Sequence, residues 1–155
     1  MIDARFGHVN LVARDWRRLA DFYTRVLGCT FVPPERDYAG SLLEAGTGVP
    51  GAALRGAHLR LPGLGPDGPT LEIYEYASMP DGAPPAANRP GFGHIAFAVP
   101  DVSTARQLFL REGGAEVGEV VTTDTADGRR VTWTYVTDPE GNIVELQSWS
   151  GPLAG

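Results

Sequence analysis

Four side chains of this 155-residue chain stand out by type and placement: His8, Glu72, His94 and Glu145. The histidines lie in matched tetrapeptides, Phe6-Gly7-His8-Val9 and Phe92-Gly93-His94-Ile95. The glutamates each sit between apolar neighbours, in Leu71-Glu72-Ile73 and Val144-Glu145-Leu146. Two imidazoles with two carboxylates make a nitrogen and oxygen donor set suited to one divalent ion, Zn, Ni, Co, Mn or Fe, with positions left over for water or substrate oxygens. A single strand histidine is more often packed or exposed than a ligand. A single carboxylate on an antiparallel strand usually points to water. Four such residues at equivalent places argue against both of those readings.

The places are equivalent because the chain is one unit written twice. Phe6 to Val9 aligns with Phe92 to Ile95, and the same separation carries Asp15 onto Asp101, Arg25 onto Arg111 and Gly28 onto Gly114 without a gap. Each copy starts with an apolar run of strand length, residues 9–13 and 95–99. An Asp then follows whose carboxylate can accept the first free N–H groups of a helix. Trp16, Leu19, Ala20, Tyr23, Val26 and Leu27 recur at spacings of three and four and so form one apolar stripe, which Gly28 ends. Val102, Ala105, Leu108 and Phe109 do the same before Gly113-Gly114. Strand-like stretches come next: 30–32, 52–61 and 70–76 in the first copy, and 115–121, 130–137 and 142–149 in the second. Asp138-Pro139-Glu140-Gly141 joins the last two as a hairpin turn, with Pro presetting the turn and Gly accepting positive φ. Residues 36–51, with Ser41-Leu42-Leu43-Glu44 before a Gly-rich stretch, are open to a short helix. The expected architecture is an α+β domain of two tandem βαβββ units, residues 6–77 and 92–149, forming a curved mixed sheet around a cleft. Residues 78–91, rich in Pro, form the linker.

Strand alternation assigns faces. Leu71 and Ile73 point toward the helix layer, so Glu72 and Tyr74 point away from it, and Glu145 does so relative to Val144 and Leu146. Val9, Leu11, Ile95 and Phe97 belong with the core, which turns His8 and His94 to the helix-free face. If the two sheets curve toward each other, all four donors converge. Tyr74, Trp133 and Tyr135 are candidates to line the same cleft, with core and dimer packing as the alternative use of these aromatics. His58 has no counterpart in the repeat and reads as an ordinary strand histidine. Cys29 follows Gly28 with no matched His or Cys and reads as a buried, inert thiol.

Composition narrows the partners. Thirteen basic against 19 acidic residues give a formal net charge of −6, which removes the attraction that nucleic acid or an anionic membrane would need. No apolar run approaches the roughly 18 to 20 residues of a membrane span. The 20 Gly and 13 Pro favour strands and turns over a helical bundle. One cysteine excludes an intrachain disulfide, and the opening Met-Ile-Asp-Ala-Arg carries no signal segment, so a cytoplasmic protein is expected.

Phe6-Gly7-His8-Val9, Leu71-Glu72-Ile73-Tyr74, Gly91-Phe92-Gly93-His94-Ile95-Ala96 and the run from Asp138 to Leu146 (Asp-Pro-Glu-Gly-Asn-Ile-Val-Glu-Leu) resemble the vicinal oxygen chelate superfamily of glyoxalase I, epimerases, extradiol dioxygenases and bleomycin and fosfomycin resistance proteins. The resemblance spans residues 6–149. It implies that His8, Glu72, His94 and Glu145 bind one divalent metal ion per site. A Glu at the fourth corner and only two units are similar to glyoxalase I. The implied activity is that of a metal-dependent lyase, isomerase or epimerase acting through an enediolate on a small molecule with adjacent oxygens. Glu145 or Glu72 would serve as the base, and the sequence does not choose between them. The alternative is a bleomycin-resistance type of protein that sequesters a natural product without turnover. The same resemblance implies a homodimer.

Overall fold

A computed structural model describes residues 1–151, in two compact units divided between Gly82 and Ala83. In the first unit the order is β1 (His8–Val12), α1 (Trp16–Leu27), β2 (Thr30–Ala39), α2 (Ser41–Thr47), β3 (Ala53–Arg60) and β4 (Thr70–Tyr76). The strands form one mixed sheet in the order β1-β4-β3-β2, in which β1 runs parallel to β4 and the other pairs are antiparallel. Helix α1 begins where expected: Asp15 Oδ1 accepts the N–H of Arg18 at 3.0 Å. It ends at Gly28, whose φ of 71° is a left-handed conformation that costs glycine nothing. Its stripe of Trp16, Leu19, Ala20, Phe22 and Tyr23 is buried, facing Ala57, Leu59, Leu71 and Ile73 of the central strands β3 and β4. Burying a side chain of this size contributes roughly 1.5 to 3 kcal/mol, so this layer anchors the strand that carries Glu72.

Strand β2 is longer than expected. The sequence pattern places this strand over residues 30–32, just before Pro33-Pro34, which offers no N–H to a ladder. In the structure β2 is an edge strand that runs on to Ala39, and its register against β3 shifts between Val32 and Arg36. An edge position with a bulge is where prolines are tolerated in a sheet. The short helix left open within residues 36–51 is present as α2.

The second unit runs β5 (Ile95–Ala98), α3 (Val102–Arg111), β6 (Ala115–Glu116), β7 (Val121–Asp124), β8 (Arg130–Thr137) and β9 (Ile143–Ser150). Its mixed sheet has the order β5-β9-β8-β6, with β7 also paired to β8, and β5 parallel to β9. Asp101 caps α3 by accepting from Thr104 N at 2.6 Å, the same device as Asp15 on α1. The single strand expected over 115–121 is corrected to two short ones. Between them the chain leaves the ladder but stays tied to β8, with Gly118 N donating to Tyr135 O at 3.1 Å and Thr134 Oγ1 donating to Gly118 O at 3.2 Å. Thus both units break the regularity of the strand after the helix, the first by a register shift and the second by a gap. The α+β class holds, with two open mixed sheets. No helix is long and apolar enough to cross a membrane among the described residues.

Candidate functional site

In the first unit, Glu72 lies at the centre of the sheet, with Asn10 of β1 as its register partner on one side and His58 of β3 on the other. The core side of β4 is filled by Leu71 and Ile73, so the Glu72 carboxylate emerges on the face without a helix, where it remains only 8% exposed. His8 Nε2 is 3.4 Å from Glu72 Oε2, and His58 Nε2 is 3.1 Å from Oε1. His58 Nε2 also meets the Tyr74 hydroxyl at 2.7 Å. Burial pulls the His58 pKa below its usual value, against the opposing pull of the Glu72 charge. The Tyr74 phenol is pushed up to about 12, first by burial and then by Glu72, so it stays protonated throughout the neutral range.

In the second unit, His94 Nε2 is 2.9 Å from Glu145 Oε2, again on the helix-free face. Tyr135 is the register partner of Glu145 on β8. Its ring lies 4.9 Å from the His94 ring and 5.2 Å from the Trp133 ring, so three rings form a row that begins at the carboxylate's partner His94. Burial, then the Glu145 charge, raises the Tyr135 pKa. Gln147, two residues along β9 on the same face, accepts from Trp149 Nε1 at 2.7 Å.

The repeat therefore produces the same product twice, a histidine against a glutamate on the open face of a mixed sheet. The family model described as the Glyoxalase/Bleomycin resistance protein/Dioxygenase superfamily matches residues 5–146. The chain belongs to that superfamily. Solved structures agree at the level of the fold. A glyoxalase family protein from Bacillus cereus is similar with a TM-score of 0.79 at 20% identity, covering 97% of this chain and 99% of its own. A glyoxalase family protein from Enterococcus faecalis is similar with a TM-score of 0.58 at 22% identity, covering 95% and 99%. A glyoxalase/bleomycin resistance protein/dioxygenase family enzyme from Burkholderia phytofirmans gives 0.57 at 15% identity, over 94% and 98%. No curated protein sequence compared with the chain matches it.

The superfamily implies a metal ion, and the donor atoms bear on whether one fits. Two ligands bound at about 2.0 to 2.2 Å to one ion lie roughly 2.8 to 3.6 Å apart in octahedral or tetrahedral geometry. The His8–Glu72 and His94–Glu145 separations of 3.4 and 2.9 Å meet that requirement, and the N and O donors suit a borderline divalent ion. Among the described residues of either unit, no three His, Cys, Asp or Glu are placed so that they could hold an ion together. His8 and His58 sit on different oxygens of Glu72.

Of the residues singled out in the sequence, Tyr74 shares the Glu72 face but commits its hydroxyl to His58, while Trp133 and Tyr135 share the Glu145 face. His58 is the residue that the repeat conceals. Its only signal is strand parity: Leu59 faces the core, so His58 must face Glu72 once β3 pairs with β4. Cys29 is fully buried, and burial raises its pKa to about 11. The thiolate is the reactive form. A disulfide reagent at pH 8 is expected to leave Cys29 untouched in the native protein and to titrate one thiol per chain after denaturation. Rapid reaction in the native state would contradict this burial.

Proposed function

We propose that the protein is a metal-dependent lyase, isomerase or epimerase acting on a small molecule with adjacent oxygen atoms. The observation that carries this reading is the matched pair of contacts, His8 with Glu72 and His94 with Glu145, on the helix-free face of each sheet. In this reading His8, Glu72, His94 and Glu145 together hold one divalent ion, Zn, Ni, Co, Mn or Fe, whether the two pairs are supplied by one chain or by two copies. The ion, when bound, supplies positive charge beside substrate oxygens on which negative charge develops. The remaining chemistry belongs to the side chains. The imidazoles of His8 and His94 offer nitrogen lone pairs to the ion. Glu145, opposite Tyr135 in the β8–β9 ladder, is the carboxylate assigned to take the proton from a substrate carbon that bears one of the adjacent oxygens and neighbours the carbonyl. Glu72, gripped from both sides by His8 and His58, is assigned to hold rather than to move. Tyr135 stands opposite Glu145 in the ladder and its ring contacts that of Trp133, which gives the carboxylate an aromatic neighbour on the same face.

A second reading, capture of an aromatic natural product without turnover, is favoured by the row of His94, Tyr135 and Trp133 rings, which offers stacking surface. One experiment separates the two. The purified protein is analysed for metal, stripped with a chelator, and screened by thermal shift against compounds bearing adjacent oxygens, with and without Zn, Ni, Co or Mn. Metal-dependent stabilisation with conversion of the compound supports the enzyme. Stabilisation that survives chelation, with the compound recovered unchanged, supports capture.

We also infer a homodimer and a cytoplasmic protein. Large apolar side chains exposed at Phe6, Phe31, Leu42 and Phe92 are the kind of surface that a second copy covers. Light scattering is expected to give twice the 16.6 kDa chain mass. A monomer at micromolar concentration would reject the dimer.

A further inference from the structure

The two candidate carboxylates have unlike neighbours. Opposite Glu145 in the β8–β9 ladder stands Tyr135, but opposite Glu72 in the β3–β4 ladder stands His58. His58 Nε2 faces two oxygens, Glu72 Oε1 at 3.1 Å and the Tyr74 hydroxyl at 2.7 Å. A carboxylate only accepts, so a bare ring nitrogen there would set lone pair against lone pair. The contact is favourable when Nε2 carries the hydrogen and aims it between the two oxygens. The other carboxylate oxygen, Oε2, is the one beside His8 Nε2, at 3.4 Å.

The placement of Tyr74 is itself provided for. Its register partner on β3 is Gly56, and a Cβ at that position would come within 2.4 Å of Tyr74 Cδ1 and 2.0 Å of Ile73 O. Only glycine leaves the Tyr74 ring room to lie across β3, where its ring meets that of His58 edge-on, with centroids 5.9 Å apart. Gly56, Tyr74 and His58 thus form a cross-strand brace whose outer end is the Glu72 carboxylate.

We propose that His58, steadied by Tyr74, is a positioning residue for Glu72: it donates Nε2–H to Oε1 and leaves Oε2, the oxygen beside His8, as the one that meets a divalent cation. This inference rests on the metal-binding reading given above. Hydrogen-bond partners of metal ligands fix ligand orientation, and their loss costs about 10- to 100-fold in metal affinity. His58 acts through Glu72 and needs no contact with the ion.

The test is calorimetric titration of the chelator-stripped, full-length protein with Zn²⁺, without substrate, alongside a metal-free melting curve for each variant. His58→Ala and His58→Phe are expected to weaken Zn²⁺ binding about 10- to 100-fold. His58→Phe keeps ring volume and removes the donor, so it carries the test should the alanine variant fold poorly. His58→Gln, which retains a side-chain N–H, is expected to recover most of the affinity. Wild-type affinity in both His58→Ala and His58→Phe would overturn the inference and leave the metal reading standing. Equal weakening in His58→Gln and His58→Phe would also overturn it, because ring packing and not hydrogen donation would then be responsible. A wild-type protein that binds none of Zn²⁺, Co²⁺, Ni²⁺ or Mn²⁺ would remove the metal reading itself.

Discussion

The Glu145→Gln protein is expected to fold as the wild type does and to lose turnover by a factor of about 10² to 10⁴, the usual range for a positioned proton-transfer group. The side chain is not part of the core: its neighbours Val144 and Leu146 are buried against the helix layer, while Glu145 keeps about a fifth of its surface accessible beside His94. An amide has the same shape and retains one acceptor oxygen for the contact at 2.9 Å with His94 Nε2. What it lacks is negative charge and basicity, and proton abstraction needs both. His94→Ala removes a donor atom outright and is expected to act earlier, on metal affinity, by more than the 10- to 100-fold cost of losing an outer partner. The two variants are therefore distinguished without knowing the substrate. A metal at 100 times its Kd adds about 2.7 kcal/mol to the stability of a protein that binds it only when folded. That is a rise in melting temperature of roughly 5 to 11 °C for a chain of this size. Glu145→Gln should keep a substantial part of this rise and His94→Ala should lose it. Once a substrate is found by thermal shift, product formation decides the base. Full activity in Glu145→Gln would transfer the proton to Glu72, whose two oxygens are already engaged by His8 and His58.

Much of this arrangement can be read from the residues because the repeat fixes several independent choices at once. Asp15 and Asp101 each accept the N–H three residues on, so the helix starts follow from a carboxylate at the right place. Gly28 stops α1 because the next backbone conformation is left-handed. Strand parity then turns His8, Glu72, His94 and Glu145 to the open faces, and no packing detail is needed to see it. The edges were harder to read. An apolar pattern over 115–121 does not tell where an edge strand lets go of its neighbour, since only one side of it is paired. Pro33-Pro34 supplies no N–H to the ladder, yet the register shift lets β2 resume against β3 beyond the 30–32 stretch that the pattern marks. His58 escaped for a different reason. Its counterpart across the ladder in the second unit is Tyr135, a residue of other chemistry, so comparison of the two copies gives no hint of its partner. Its contact with Glu72 emerges only when strand order, register and side-chain reach are combined.

Asp138→Ala is expected to destabilise the protein by about 3 kcal/mol, less than the full sum for the three hydrogen bonds this buried carboxylate accepts, because water partly replaces them. Asp138 is 1% exposed although it carries a carboxylate. Its Oδ1 accepts from the backbone N–H groups of Glu140 at 2.9 Å and Asn142 at 3.0 Å, and Oδ2 accepts from Asn142 Nδ2 at 2.9 Å. The turn closes through Asp138 N to Asn142 O at 2.9 Å, with Gly141 at a φ of 89° that a side chain would resist. An alanine leaves those N–H groups without their acceptor inside a partly buried turn. The melting temperature should fall by roughly 6 to 12 °C. Asp138→Asn keeps one acceptor oxygen but sets an amide N–H₂ against that of Asn142, so a smaller loss, about 1 to 2 kcal/mol, is expected. The consequence for the site follows from register. This turn sets Thr137 opposite Ile143, and therefore Tyr135 opposite Glu145. A slip of one residue would carry Glu145 to the helix side of the sheet and away from His94. Because register is also held by Val144 and Leu146 in the core, the molecules that remain folded should keep wild-type metal affinity while the midpoint of urea unfolding drops. A melting temperature within about 2 °C of wild type would show that the backbone of the turn holds its shape without the carboxylate.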